Sequence, residues 1–561
     1  MKKLAVFLGL AFVSLFVGCL EPPQSSRTSD TGVIYRHHFI GFNHLGEGTN
    51  ATKLKEVLER ESTKKLGAEA LKKLARAPRQ YWTKHLSKNA ADGAQFIEPL
   101  LADLSASESY IEARGSTARP ECVIAVQVSD ERAKLWDKNL KDLAAAWQLG
   151  KRSDVTAQGF KGWEIKRREY PNRLQFLRAD KWVIASFGSD QLPLGSETLQ
   201  SLAKSGAPAG PLGANALLEL EADLPRIAPG IPALSNHKFP PTHLTILGRG
   251  EFVRTEAQFR YSRPLNWKFE PWRIPTNLIP EQIVSFTAAQ GVAPLLNSIQ
   301  GASDLGLKPV PNQVTTWGLG DAQGQIFAAF PVDNGTNAIQ KLAPTLPKLV
   351  LKHFPGVMGT FLWASNRAEI IWQGLPYIVP YLQALNSAGQ HYLFFGMFPR
   401  IRSSNAAPAE LFAQLADRKD LAYYDWEITG QRTTHGRQMY QLAHIISNRH
   451  VPDPRSVSDL WLQDLTQILG PTVTEITVKS PSELDLVRKS HIGFTGFELA
   501  TFSLWFESPG FPFKIEPRPL RPFIVTNGVP IRPGTKGGPK ATNGSPVKAG
   551  TNAPAASPPK S

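Results

Sequence analysis

The chain has 561 residues, 42% of them hydrophobic and 20% charged, with a formal charge of +15 at pH 7 and an isoelectric point near 9.6. That apolar content supports a large core and excludes a wholly disordered chain, and the length suggests two to four domains at about 100 to 200 residues each. Cys19 and Cys122 are the only cysteines, which excludes a disulfide framework and cysteine-based metal sites.

Lys2 and Lys3 open the chain, an apolar run fills positions 4–17, and Phe16-Val17-Gly18-Cys19 closes it with small Gly18 beside the cysteine. The segment resembles the signal and lipobox of bacterial lipoprotein precursors. By that resemblance residues 1–18 are removed, Cys19 carries the lipid, and the protein is held in the bacterial cell envelope through its N-terminal lipid; a signal cut at an ordinary small-x-small site is the alternative. The run is shorter than the roughly 20 residues of a bilayer span, and no later segment supplies one. Leu20 stands where the family uses Asp for inner-membrane retention, so the resemblance favours the outer membrane in a cell with two. Residues 19–30, rich in Pro, Ser and polar side chains, read as a tether of at most about 35 Å.

The body then reads as strands and helices that recur in the same order. Residues 33–45 match 283–295 as strand, turn and helix start. A strand at 123–128 with a helix at 131–147 parallels 325–330 with 334–351. A strand at 181–187 with a helix at 196–204 parallels 391–397 with 408–416. Leu217-Leu218-Glu219-Leu220-Glu221-Ala222 parallels Tyr423-Tyr424-Asp425-Trp426-Glu427-Ile428, acid to acid, and the hairpin at 244–261 parallels 475–492.

Two similar halves are therefore expected, residues 31–265 and 281–509, joined by a linker at 266–280. The first carries an added helical stretch at 49–77, and the second carries added helices at 375–385 and 456–469. Short polar turns between strands such as 163–168, 174–177 and 182–187 favour an α+β class, with mainly antiparallel sheets and helices packed on one face. In layout alone, such halves behind a lipobox resemble bacterial envelope proteins without an assigned activity.

Residues 510–561 hold eight cations against the single acid Glu516 and are crowded with Pro, Gly, Ala, Ser and Asn. They read as a disordered basic tail, a spacer or a contact for anionic envelope polymers or lipids. Outside the cytoplasm nucleic acid is not an expected partner. Oligomeric state stays open.

Specific chemistry is mostly excluded. Gly318-Leu319-Gly320-Asp321-Ala322-Gln323-Gly324 is followed by a second strand, so it reads as a hairpin turn rather than a dinucleotide loop. Ser62-Thr63-Lys64-Lys65, Tyr170-Pro171-Asn172 and Lys204-Ser205-Gly206 resemble, in order, the three motifs of penicillin-binding enzymes. Here Ser62 lies on a heavily charged helix face, and the second and third motifs are too close together. His37 and His38 point to opposite sides of a strand, and His435, His444 and His450 lack metal-ligand spacing. Cys122, within an apolar strand, reads as a small buried hydrophobe. No catalytic set, metal or cofactor is expected.

The acids Glu219, Glu221, Asp425 and Glu427 remain as a candidate ligand face. Two-residue spacing on a strand puts each pair on one side, most simply the solvent side. The expected function is a non-enzymatic binding or scaffolding protein anchored in the envelope. A carrier or chaperone for lipid or other apolar cargo is the alternative, and a hydrolase with an unread site is a third.

Overall fold

The computed structural model describes residues 32–45, 51–82, 91–116, 119–168, 171–227, 239–265, 268–298, 306–320, 325–353, 359–375, 378–398, 407, 409–446, 451, 453–513, 524–526 and 529–531. Cys19, the expected leader and tether, and most of the expected basic tail lie outside the described residues. Residues 1–518 form one compact unit and 519–561 a second.

Twenty strands of the first unit join in one sheet. The first ten are β1 (Val33–Phe39), β2 (Ser109–Ser116), β3 (Arg119–Gln127), β4 (Arg152–Ala157), β5 (Phe160–Lys166), β6 (Arg173–Ala179), β7 (Trp182–Gly188), β8 (Ala216–Ala222), β9 (Thr242–Arg249) and β10 (Phe252–Arg260). The second ten are β11 (Ile283–Gln290), β12 (Gln313–Leu319), β13 (Ile326–Val332), β14 (Thr360–Ala364), β15 (Glu369–Gln373), β16 (Tyr381–Ser387), β17 (Gln390–Gly396), β18 (Leu421–Ile428), β19 (Pro471–Ser480) and β20 (Glu483–Ser490).

Every pairing is antiparallel. From one edge the order is β4-β5-β6-β7-β3-β2-β1-β8-β9-β10. It continues through β10–β20 into β20-β19-β18-β11-β12-β13-β17-β16-β15-β14. Two-residue loops make the tightest hairpins. Gln158 and Gly159 between β4 and β5, and Ala388 and Gly389 between β16 and β17, all take positive φ, the twist that a short right-handed hairpin needs.

The helices are α1 (Thr52–Glu59), α2 (Glu61–Trp82), α3 (Ala94–Ala106), α4 (Asp130–Ala146), α5 (Pro193–Ser205), α6 (Leu224–Ile227), α7 (Ala293–Ser298), α8 (Gly335–Leu342), α9 (Leu346–His353), α10 (Ala409–Ala416), α11 (Thr429–Ile446), α12 (Val457–Thr466) and α13 (Gly496–Glu507). Their starts are written locally: Ser129, Asn334 and Ser456 each accept a backbone N–H of the first turn of α4, α8 and α12, and Thr495 with Glu498 forms a capping box at α13.

One face of the sheet carries a layer in which α4, α3, α2, α12, α11 and α13 pack in succession. Its core is continuous from Leu66 and Leu74 through Ile111, Cys122 and Ile124 to Trp461, Leu465 and Phe506. Cys122 is buried there as a small hydrophobe, 1% exposed. The opposite face is covered in two places, by α5 over Val123, Trp182 and Ile184, and by α10 over Phe286, Tyr424 and Phe394. Helices thus lie on both faces. Strands between two layers lose the polar alternation of a half-exposed strand, as in Trp182-Val183-Ile184-Ala185-Ser186-Phe187.

The helix expected at 375–385 also needs correction. Of that stretch, residues 378–385 are described and are not helical; they lead into and form β16, whose Tyr381, Leu382 and Leu385 serve cores on opposite faces, a distribution that looks helical when read as spacing alone. The first residues of the expected tail pack on the body: Phe511 is 6% exposed and its ring lies 4.7 Å from that of Trp505. In the second unit Ile524–Thr526 pairs with Val529–Ile531.

Candidate functional site

The four acids divide into two sites on opposite faces. β-Bulges fall between Ala216 and Leu218 on β8 and between Leu421 and Tyr423 on β18. Glu219 pairs across with His38 and Glu221 with Arg36, whereas Asp425 pairs across with Thr287 and Glu427 with Ser285.

Glu219 and Glu221 lie on the α5 side. Arg36 of β1 sits between Glu221 of β8 and Glu112 of β2 in one cross-strand row. It donates to both Glu112 oxygens and to Glu221 Oε2, each at 3.1 Å. Tyr110 and Arg114 also donate to Glu112, and Arg114 reaches Glu197 at 2.7 Å. Glu112 is 1% exposed. Burial works against its charge, but the donors Arg36, Arg114 and Tyr110 outweigh it and hold the carboxyl below its usual pKa. Glu219 accepts the Gly213 N–H at 3.0 Å, and His38 Nε2 lies 2.9 Å from Glu108.

Asp425 and Glu427 lie under α11 and α13, 1% and 0% exposed, rather than on a solvent face. β18 runs straight into α11, whose first turn carries Arg432 back over the strand. A cation in a helix's first turn opposes the macrodipole, and here two carboxylates compensate it: Arg432 Nη1 donates to Asp425 Oδ1 at 2.6 Å and to Glu427 Oε2 at 2.9 Å. Thr287 donates to Asp425 Oδ1 at 2.6 Å, and the Gly496 N–H, at the start of α13, donates to Glu427 Oε1 at 2.7 Å. Burial raises the Glu427 pKa, with the Arg432 charge and the Gly496 N–H opposing. Asp425 Oδ2 is buried with no hydrogen-bond partner among the described residues.

Sequence reading missed Arg36, Glu112 and Arg432. The signal for Arg432 is a basic residue five positions after Glu427, just where strand turns to helix; Arg36 and Glu112 meet only through strand pairing. Chemically, both clusters are ion-pair networks in which arginine engages Glu112, Glu221, Asp425 and Glu427, while Glu219 is held by a backbone N–H. Among the described residues no group of three or more His, Cys, Asp or Glu is arranged to hold a metal ion. His37 is buried with Nδ1 2.9 Å from the Tyr35 hydroxyl, and burial drives its pKa down to about 3, which keeps the ring neutral. Ser62 donates to Asp464, and Arg60 donates to the same carboxylate, so this serine belongs to a helix–helix contact.

No known protein family matches the chain, and no curated protein does. One solved structure, crystal form III of TP0453, a membrane-associated protein of Treponema, aligns with 41% of this chain and 98% of its own at 10% identity, with a TM-score of 0.22. That is a remote resemblance, and no residue role is carried over from it. No helix among the described residues is long and apolar enough to cross a membrane.

Proposed function

We propose that this chain is a bacterial envelope lipoprotein, anchored through Cys19 after removal of residues 1–18, whose body is a non-enzymatic binding or scaffolding element. The observation that carries the placement is the leader itself, two lysines, an apolar run and Gly18-Cys19. Leu20 favours the outer membrane where there are two. More than one acyl chain makes such anchoring stable, at about 0.8 kcal/mol per buried methylene.

The body is read as two copies of one unit, residues 31–265 and 281–509. The repeated strand order supports this reading, and so do the bulges, which recur at Val33/Tyr35 and Ile283/Ser285 as well as on β8 and β18. The central ladder has the same symmetry: Val253 pairs with Ser490 and Phe259 with Leu484, so equivalent residues exchange places across it. The arginine partners of Glu112, Glu221, Asp425 and Glu427 support a structural role for these acids.

Metabolic labelling with palmitate and membrane fractionation test the anchor. The wild type incorporates label and stays with membranes after a salt wash, and Cys19→Ser does neither; label on that variant overturns the assignment. The non-enzymatic reading is tested by screening ester, glycoside and peptide substrates. Turnover lost on replacing Glu219, Glu221, Asp425 or Glu427 by its amide, with folding intact, overturns it, and co-purified envelope lipid replaces the scaffold by a carrier.

A further inference from the structure

Among the described residues the sheet has two free edges, β4 and β14, and each presents a row of backbone groups without a strand partner there. β4 is protected in the usual way, with Arg152, Ser153 and Asp154 exposed along it. β14 is not. Its Leu362 is 46% and its Trp363 40% exposed, and Leu351 (47%) and Val379 (40%) lie nearby in the chain. Four of the seven large hydrophobic side chains exposed among the described residues therefore fall between positions 351 and 379.

Register places them on both sides of this edge. Leu362 pairs with Ile371, and Ile371 with Tyr381, on the α10 side; the Val379 N–H donates to Met397 O, continuing the β16–β17 ladder two residues before Tyr381. Trp363 pairs with Ile370 on the opposite side, where Phe361 stacks on Trp372 at 4.8 Å and packs with Leu346 of α9 against the Ile370–Leu393 core. Beyond Leu346, α9 exposes Leu351 between Lys348 and Lys352. From 341 to 379 the charged residues are Lys341, Lys348, Lys352 and Arg367, against Glu369 alone.

An occupant must accept apolar side chains on both sides of a strand edge and bear negative charge. A second copy meets the first requirement but brings two sets of Lys348, Lys352 and Arg367 together. An anionic bilayer surface meets both: Trp and Leu enter the interface while lysine stems lie along it and keep their charge at the headgroups. The free backbone of β14 sets the depth, since its N–H and C=O groups need water or headgroups and cannot enter hydrocarbon.

We propose that the β14–β15 edge, together with the end of α9, is a membrane-contact surface that seats Leu351, Leu362, Trp363 and Val379 at the headgroup level of an anionic bilayer. This contact is separate from acylation at Cys19, so the experiment removes that anchor. In the full chain carrying Cys19→Ser, Cys122 is the remaining native cysteine and is buried. A polarity-sensitive fluorophore is attached at Leu362→Cys or, as control, at Ser153→Cys on the other edge.

With phosphatidylcholine–phosphatidylglycerol vesicles the probe at 362 shifts to the blue and is quenched by brominated lipid, pure phosphatidylcholine gives less, and the probe at 153 does not respond. The pair Leu362→Ser and Trp363→Ser, with an unchanged urea midpoint, lowers vesicle partitioning of the Cys19→Ser chain by about tenfold or more. Equal responses at 153 and 362 would credit the leader segment instead and overturn the proposal. A shift at 362 that follows protein concentration without vesicles, with a dimer in sedimentation, assigns the edge to a second copy. A silent probe at 362 refutes the contact while leaving the Cys19 assignment untouched.

Discussion

Glu112 and Glu427 are both buried glutamates with an arginine within 3.1 Å, yet their environments pull their titration in opposite directions. Glu112 shares its pocket with two arginines and a phenol, and its folded pKa is lowered. Glu427 shares one arginine with Asp425, and burial leaves its folded pKa raised. A lowered pKa contributes stability that is complete above the unfolded value of 4.5 and is lost as pH falls through the folded pKa. A raised one contributes stability that is complete below 4.5 and is lost as pH rises through the folded pKa. Urea unfolding between pH 3 and 7 should therefore show the wild type gaining on Glu112→Gln, and losing ground to Glu427→Gln, as pH rises. Parallel curves for wild type and Glu427→Gln would show that Arg432 neutralises the glutamate fully.

At the scale of elements, the crossing of α11 and α13 above β18 depends on Gly496. A Cβ there would sit 2.6 Å from the Thr433 nitrogen and 2.8 Å from the Thr429 oxygen, both backbone atoms that cannot turn aside. Gly496→Ala should lower stability by about 2 kcal/mol or more, against the gain of up to about 1 kcal/mol that alanine brings to a helix. An unchanged denaturation midpoint would mean that the two helices separate freely. Such elements were legible to different degrees. The helices near 49–77, 131–147, 196–204 and 456–469 carry apolar periodicity, two of them with a serine cap, and α2, α4, α5 and α12 form there. The strand at 217–222 was legible as well. The bulges on β8 and β18 were not, because a bulge is set by pairing with neighbouring strands, and neither Ala216 nor Leu421 signals one. For the same reason Asp425 and Glu427 looked solvent-facing: Tyr423-Tyr424-Asp425-Trp426-Glu427 gives no sign that α11 will fold back over it.

Across the whole molecule, the two sets of ten strands are held together at two levels. In the sheet, β10 and β20 pair along eight residues, from Val253 with Ser490 to Arg260 with Glu483. In the helix layer, α12 from the second set packs on α2 from the first: Trp461 is 0% exposed, its Nε1 donates to Thr63 Oγ1 at 3.1 Å, and Arg60 donates to Asp464 at 2.6 and 2.9 Å. The exposed part of that ion pair contributes little, about 0–1 kcal/mol, so the tryptophan should dominate. Removing it leaves a cavity in the core that also holds Leu66 and Leu74 of the first set and Leu465 of the second, and large-to-small changes of this kind cost about 3–5 kcal/mol. Because one core serves both sets, that loss should move a single unfolding transition to lower temperature, with calorimetric and van't Hoff enthalpies still in agreement. Trp461→Phe separates packing from the hydrogen bond and should cost less than Trp461→Ala. If Trp461→Ala instead splits the melt into two transitions, the sets fold independently, and the α2–α12 contact is a docking surface between domains rather than part of a common core.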